Sequence, residues 1–307
     1  MGARGPVREE AEEEVAVIER AASEGRLLDG DARFLVESRY GHFTAMQVRD
    51  RRVRGLDLHL ERLDSANREL FGTGVDRAAV LAAIRTALDG GPAPDRDPAP
   101  DRDPAPGDGT ASGDGTARGD GVPDARVLDT RLRDASVRVY VLEAEPPRVV
   151  VSAGPPHAPL PRPLSVRPVV YQRYLPHIKQ AGGFQQAHIL RTARRAGYGE
   201  ALLTTEDGLI SEGSITNLGG FAGGRLVWPD APMLHGITMR LLERLDVPQE
   251  RRPLRVADLS GFDLVFLCNS WGVMPVGSVA GVPLSVDEGL LKRLLAYYDG
   301  IAGDPLD

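Results

Sequence analysis

Ile210-Ser211-Glu212-Gly213-Ser214-Ile215-Thr216-Asn217-Leu218 sets a glutamate between apolar strand segments and follows it with small residues and an asparagine. A carboxylate held this way can partner a ring cation. It reads equally as a turn carboxylate, with serine and threonine hydroxyls satisfying loop backbone. The surrounding pattern is clearer than the motif. Strands at 165–170, 201–204, 215–221, 225–228 and 264–268 alternate with helices at 184–196, 237–245 and 287–298, which is a mixed α/β or α+β arrangement.

Upstream lies Leu175-Pro176-His177-Ile178-Lys179-Gln180-Ala181-Gly182-Gly183. Lysine and arginine total 37, and only Lys179 and Lys292 are lysine, so 35 are arginine. A chain that carries nearly all its positive charge on arginine needs a reason to keep a lysine. Arginine does not readily lose its proton, whereas a buried lysine does, and the neutral amine attacks an aldehyde to form a Schiff base. The alternative is an ordinary surface lysine.

Three further stretches carry groups suited to ligands. In 232–242, Gly236 precedes Ile237 and Thr238 at a helix start, where exposed N–H groups and the helix dipole favour an anion. In 267–276 an apolar strand ends at Asn269 and Ser270, before a glycine and a proline. In His59-Leu60-Glu61-Arg62-Leu63 the spacing puts His59 and Arg62 on one helical face, where Arg62 can offer a phosphate a two-pronged contact. Each stretch alone reads equally well as a capped helix, a strand end or a solvated charge.

Toward the N-terminus, residues 8–24 read as an acidic helix, 41–49 and 52–55 as a strand pair turning at Asp50-Arg51, and 57–71 and 76–88 as helices with apolar residues in register. Strands resume at 137–141 and 148–152. Between the second helix and these strands, 90–124 repeats Asp-Arg-Asp-Pro-Ala-Pro and Gly-Asp-Gly-Thr-Ala with no run of large apolar residues, so it reads as a flexible surface insertion. A proline-rich connector follows. The expected organisation is a domain over 1–154 that carries the insertion, a linker at 155–164 and a domain over 165–307.

The net charge of −7 argues against nucleic acid or an anionic membrane as main partner. The single cysteine, Cys268, excludes an internal disulfide and reads as a core residue. No apolar run is long enough to span a bilayer, and the acidic start lacks a signal-peptide core, so a soluble cytoplasmic protein is expected. No Gly-x-Gly-x-x-Gly joins a strand to a helix, which disfavours a Rossmann nucleotide enzyme.

Taken in chain order, these stretches resemble the class IV (fold type IV) pyridoxal-phosphate enzymes. The order is His-x-x-Arg-Leu, a lysine about 115 residues on, Glu-Gly-Ser-x-x-Asn, Gly-Ile-Thr at a helix start and a Pro-Val strand end. That group includes branched-chain and D-amino-acid aminotransferases and aminodeoxychorismate lyase. The resemblance runs from about residue 30 to the C-terminus. It implies a small N-terminal α/β sandwich, a larger C-terminal pseudobarrel, an active site between them and a homodimer. It implies pyridoxal 5'-phosphate bound covalently to Lys179, with Glu212 on the pyridine nitrogen. Arg62, Ile237, Thr238, Asn269 and Ser270 would hold the phosphate.

The departures fall on the substrate side. Met239 stands where the family has arginine, and Phe184 where branched-chain aminotransferases have a tyrosine. Arg39-Tyr40-Gly41-His42-Phe43-Thr44 replaces an acidic segment that faces the substrate, which makes Tyr40 and His42 substrate candidates. Arg173 reads either as a substrate-carboxylate ligand or as a surface arginine. The resemblance implies amino transfer between an amino acid and a 2-oxo acid. A lyase resembling aminodeoxychorismate lyase is the first alternative, since Asn269-Ser270 before Val273-Met274-Pro275-Val276 looks lyase-like. A non-catalytic relative is the second.

Overall fold

The structure, a computed structural model, describes residues 20–23, 26–28, 40–90, 131–159 and 162–306. The 90–124 repeats past Gly90, and the expected helix over 8–24 up to residue 19, lie outside the described residues. The end of that helix is corrected. Arg20–Ser23 is a strand, β1, which pairs antiparallel with β2 (Arg26–Leu28) and with a strand from the other end of the first domain. The ladder hydrogen bonds outweigh the helical preference of an alanine- and arginine-bearing segment.

The first sheet is antiparallel throughout. β3 (Gly41–Arg49) turns into β4 (Arg52–Val53) through Asp50 and Arg51, both left-handed at φ 47° and 58°, as a two-residue hairpin turn requires. Helices α1 (Leu56–Phe71) and α2 (Arg77–Asp89) follow, then β5 (Ala135–Leu142) and β6 (Arg148–Gly154). Gly72, at φ 73°, closes α1 by donating its N–H to Arg68 O, and the Asp76 carboxylate caps α2 through the N–H groups of Ala78 and Ala79. Leu60 and Leu63 of α1 and Val80, Ile84 and Leu88 of α2 pack on Met46, Val48, Val137 and Val139. Burying each large aliphatic side chain contributes about 1.5–3 kcal/mol.

The second sheet is curled and mixed. Its strands are β7 (Leu164–Val170), β8 (Glu200–Thr204), β9 (Ile210–Gly213), β10 (Asn217–Ala222), β11 (Arg225–Pro229), β12 (Gln249–Arg252), β13 (Leu264–Asn269), β14 (Gly272–Val279) and β15 (Val282–Pro283). Helices α3 (Phe184–Arg195), α4 (Ile237–Leu242) and α5 (Glu288–Gly300) are interleaved with them. Along β13, Leu264, Phe266 and Cys268 face α4 and α5, while Val265 and Leu267 face the interior of the curl. This alternation makes both faces of the sheet apolar and buries Cys268 fully. No helix is long and apolar enough to cross a membrane among the described residues.

The chain changes sheet between Gly154 and Leu164. The C-terminus then crosses back: β16 (Asp304–Pro305) pairs with β4, and Leu306 enters the first core. The first sheet and its helices therefore include residues beyond 300. The fold is the small α/β layer and larger half-barrel of fold type IV.

Candidate active site

The Lys179 segment docks across the two sheets. Phe43 N donates to Lys179 O (2.9 Å), Ala181 N to Gly41 O (2.9 Å), and His42 and Gln180 form an isolated bridge. The lysine is thereby anchored on β3 of the first sheet while its own loop belongs to the second. Between the sheets lies a cavity of about 480 Å³. It is walled by β3, β5 and α1 on one side and by α3, β9, β10, α4 and the β13–β14 turn on the other. Seven lysine or arginine side chains line it against one carboxylate, Glu212. In a chain of net charge −7 this is a locally positive chamber, suited to anionic ligands.

Lys179 lies in this chamber with its Nζ 4.8 Å from the centroid of the Phe43 ring. Desolvation, then the Arg62 and Arg173 charges, lower its amine to about 7, with Glu212 opposing.

Glu212 comes from β9, whose residues are all buried. One carboxylate oxygen accepts from Arg173 Nε (2.9 Å) and the other from Leu234 N (3.2 Å). Burial pushes its pKa up, while Arg173 and the Leu234 N–H pull it down. Below it the turn is braced. Ser214 donates to buried Glu200, which also accepts from Ala201 N (2.8 Å), and Gln186 donates to Ser214 O (3.1 Å).

Asn217 joins the Glu212 turn to α4. Its Nδ2 donates to Leu234 O (2.7 Å), and a Cβ on Gly236 would collide with its Oδ1. Only glycine permits this approach. The first turn of α4 has no side-chain cap, and the Thr238 hydroxyl donates to Asn269 O (2.6 Å). Asn269 Oδ1 in turn accepts from Trp271 N (2.8 Å). Two groups in this region are buried without a partner among the described residues: Arg62 Nε and Thr216 Oγ1. Burial and the Arg240 charge lower Arg62 to about 10. Orphaned buried polar groups are costly unless a ligand satisfies them.

The structure brings Arg62, Arg173, Lys179, Glu212, Ile237, Thr238, Asn269 and Ser270 to one cavity. Two expectations are corrected. His42 and Tyr40 are not in the lining. The β3 alternation sends His42, Thr44, Met46 and Val48 toward the helices and Phe43, Ala45 and Gln47 toward the cavity. His42 is buried with its Nε2 against Asn67 Oδ1 (3.2 Å), and Tyr40 packs edge-on against Phe71. Arg173 is not a surface arginine. It is 7% exposed, and besides Glu212 it donates to Ile178 O (2.9 Å) and Pro176 O, so each of its three nitrogens already holds a protein acceptor. Phe184 is 73% exposed and stacks on His188, outside the lining.

Arg138 escaped the sequence reading. On β5 it sits opposite Ala45, next to the Phe43–Tyr140 stack, and lines the cavity with no hydrogen bond or ion pair among the described residues. Its alternation within Ser136-Val137-Arg138-Val139-Tyr140 was the only available signal, since Val137 and Val139 take the core face.

A lysine amine of lowered basicity, a buried carboxylate and an unpartnered arginine in a positive chamber form a site suited to anionic ligands that carry an amine or a carbonyl group. The comparisons narrow this. The sequence model described as class IV amino-transferase matches residues 41–279, and the chain belongs to that family. No curated protein matches it by sequence. Among solved structures it is similar to the branched-chain amino acid aminotransferase of T.th. with pyridoxamine 5'-phosphate, with a TM-score of 0.71 at 15% identity, covering 95% of this chain and 100% of that one. The Escherichia coli branched-chain enzyme gives 0.68 at 17%, covering 94% and 99%. A hypothetical aminotransferase from Mycobacterium tuberculosis, bound to α-ketoglutarate and pyridoxamine phosphate, gives 0.69 at 17%, covering 92% and 98%. At these identities the likeness is one of fold.

Proposed function

We propose that this chain is a pyridoxal 5'-phosphate-dependent aminotransferase that moves an amino group between an amino acid and a 2-oxo acid, with Lys179 as its covalent anchor. The observation that carries the reading is Lys179 itself, one of two lysines in the chain, held near neutrality in a positive cavity that also holds Glu212. The residues fit the cofactor. Arg62, with its unpartnered Nε, the first N–H groups of α4 and the Asn269–Ser270 turn would hold the phosphate, and Thr216 Oγ1 is a further free contact. Gly236 leaves the approach open.

When bound, the cofactor supplies an aldehyde that captures amines and a ring that accepts the electron pair left by a departing α-proton. The protein's residues do the rest. Glu212, kept in place by Arg173, would sit on the ring nitrogen and favour its protonated form. Lys179 Nζ, once released, would take the proton from the substrate α-carbon. Arg138, the unpaired cation across the cavity, would take a substrate carboxylate, while Arg173 is already paired with Glu212. The exposed apolar side chains of Val170, Tyr174 and Phe184 support a homodimer.

The test is a half-reaction. Protein loaded with the cofactor is mixed with single amino acids and the release of each 2-oxo acid is measured. Stoichiometric release, with turnover only after a second oxo acid is added, supports amino transfer. Catalytic release of pyruvate with no added oxo acid would replace this reading with the lyase.

A further inference from the structure

Thr44 is an anomaly on its face of β3. Its neighbours in register, Met46 and Val48, are core residues, yet a fully buried hydroxyl stands in line with them. A buried hydroxyl needs partners, and Thr44 has two. Arg62 Nη2 lies 2.7 Å from its oxygen and His59 Nδ1 2.6 Å from it. A guanidinium only donates, so Thr44 Oγ1 accepts from Arg62. A hydroxyl can accept twice, but Thr44 Oγ1 has no other hydrogen-bond partner among the described residues, so the arrangement that satisfies its buried proton has it donating to His59 Nδ1. His59 is then neutral, with its proton on Nε2. A protonated ring would put a hydrogen on Nδ1, leave the Thr44 proton without an acceptor and place a second cation beside Arg62, whose Nη2 is 3.4 Å from Nδ1. Burial, Arg62 and Lys179 all disfavour that charge.

We infer that Thr44 and His59 are positioning residues which fix the Arg62 guanidinium for the phosphate, so that selection for a phosphorylated ligand runs through a single hydroxyl. The inference rests on the reading that Arg62 holds the cofactor phosphate. The chain of bonds spends Nη2 on the protein and leaves Nε buried and unpartnered for a ligand. Without the hydroxyl, Nη2 and Nδ1 lose their common partner. Nη2 is then free to close the 3.4 Å gap to Nδ1, which turns the fork away from its ligand.

Affinities for pyridoxal 5'-phosphate and for pyridoxal, the same aldehyde without phosphate, are measured on wild type, Thr44→Val, Thr44→Ser and Arg62→Ala. Valine keeps the shape and suits a strand, and Thr44→Ala gives the same readout if valine disturbs the fold. Thr44→Val should weaken the phosphorylated ligand about tenfold, as for loss of a hydrogen bond to a charged group. Pyridoxal affinity should be unchanged, and Thr44→Ser should recover most of the loss. Nitrogen NMR should find His59 neutral and protonated on Nε2. A Thr44→Val protein that keeps the wild-type ratio of affinities while Arg62→Ala collapses it overturns the inference, as does a His59 proton on Nδ1. An Arg62→Ala protein with an unchanged ratio instead removes the phosphate reading.

Discussion

Replacing Arg173 by methionine should be among the more damaging single changes in this protein, although the residue contacts no ligand in the proposed mechanism. Its side chain is 5% exposed and that of Glu212 is 7% exposed, and the two are joined at 2.9 Å. Removing one member of a buried ion pair leaves the other charge uncompensated, at a cost of about 3–5 kcal/mol. Ile178 O and Pro176 O would also lose their donor, loosening the loop that leads to Lys179. At about 2–4 °C per kcal/mol for a protein of this size, the melting temperature should fall by roughly 6–20 °C.

The loss should depend on pH. Without Arg173, Glu212 has a folded pKa further above its unfolded value of about 4.3. An acid raised in the folded state binds more protons folded than unfolded, so stability falls as pH rises between the two values. The deficit should be small near pH 4 and grow toward neutrality. Adding Glu212→Gln removes the stranded charge and should restore more than ~1 kcal/mol. The assay is thermal and urea unfolding of the four proteins of the double-mutant cycle across pH. A deficit under ~1 kcal/mol at pH 7, or strict additivity of the two changes, would refute the reasoning.

Four other outcomes follow from the site. Acylation of Lys179, mapped by mass spectrometry, should rise through about pH 7 and then level off, and a plateau reached only near 10.5 would contradict its lowered basicity. Because the folded value lies below the unfolded one, the unfolded chain binds more protons between about 7 and 10.5, so Lys179→Met should stabilise the cofactor-free protein most below pH 7 and lose that advantage as pH rises. Arg138→Met should raise KM for carboxylate substrates roughly 10–150-fold, the worth of a charged hydrogen bond, with cofactor affinity little changed; an unchanged KM removes Arg138 from the substrate. Gly236→Ala forces the new methyl onto Asn217 and should weaken cofactor binding, which equilibrium dialysis would measure.

The sequence exposed the groups that are rare or locally patterned. Lys179 stood out because lysine is scarce, and Arg62, Glu212 and Thr238 through short motifs in a fixed order. The β3 strand was readable from its alternation, but which face met the cavity was not. A one-residue difference in parity separates His42, which faces α1, from Phe43, which faces the ligand space. The Arg173–Glu212 pair spans 39 residues, and nothing local in either segment signals the other. Arg138 was hidden among 35 arginines. The Gly272–Val279 strand read only as a strand end because glycine and proline punctuate it, yet its partners β13 and β7 hold it in the sheet. Asp304–Leu306 carries too little pattern to announce its return to the first sheet.

The most direct test of the central claim is borohydride reduction of protein incubated with pyridoxal 5'-phosphate, followed by peptide mapping. The account predicts an absorption band near ~410–430 nm that disappears on reduction, with the phosphopyridoxyl mass on Lys179 and no adduct in Lys179→Ala. A colourless protein that takes up no cofactor, or an adduct confined to Lys292, would contradict it.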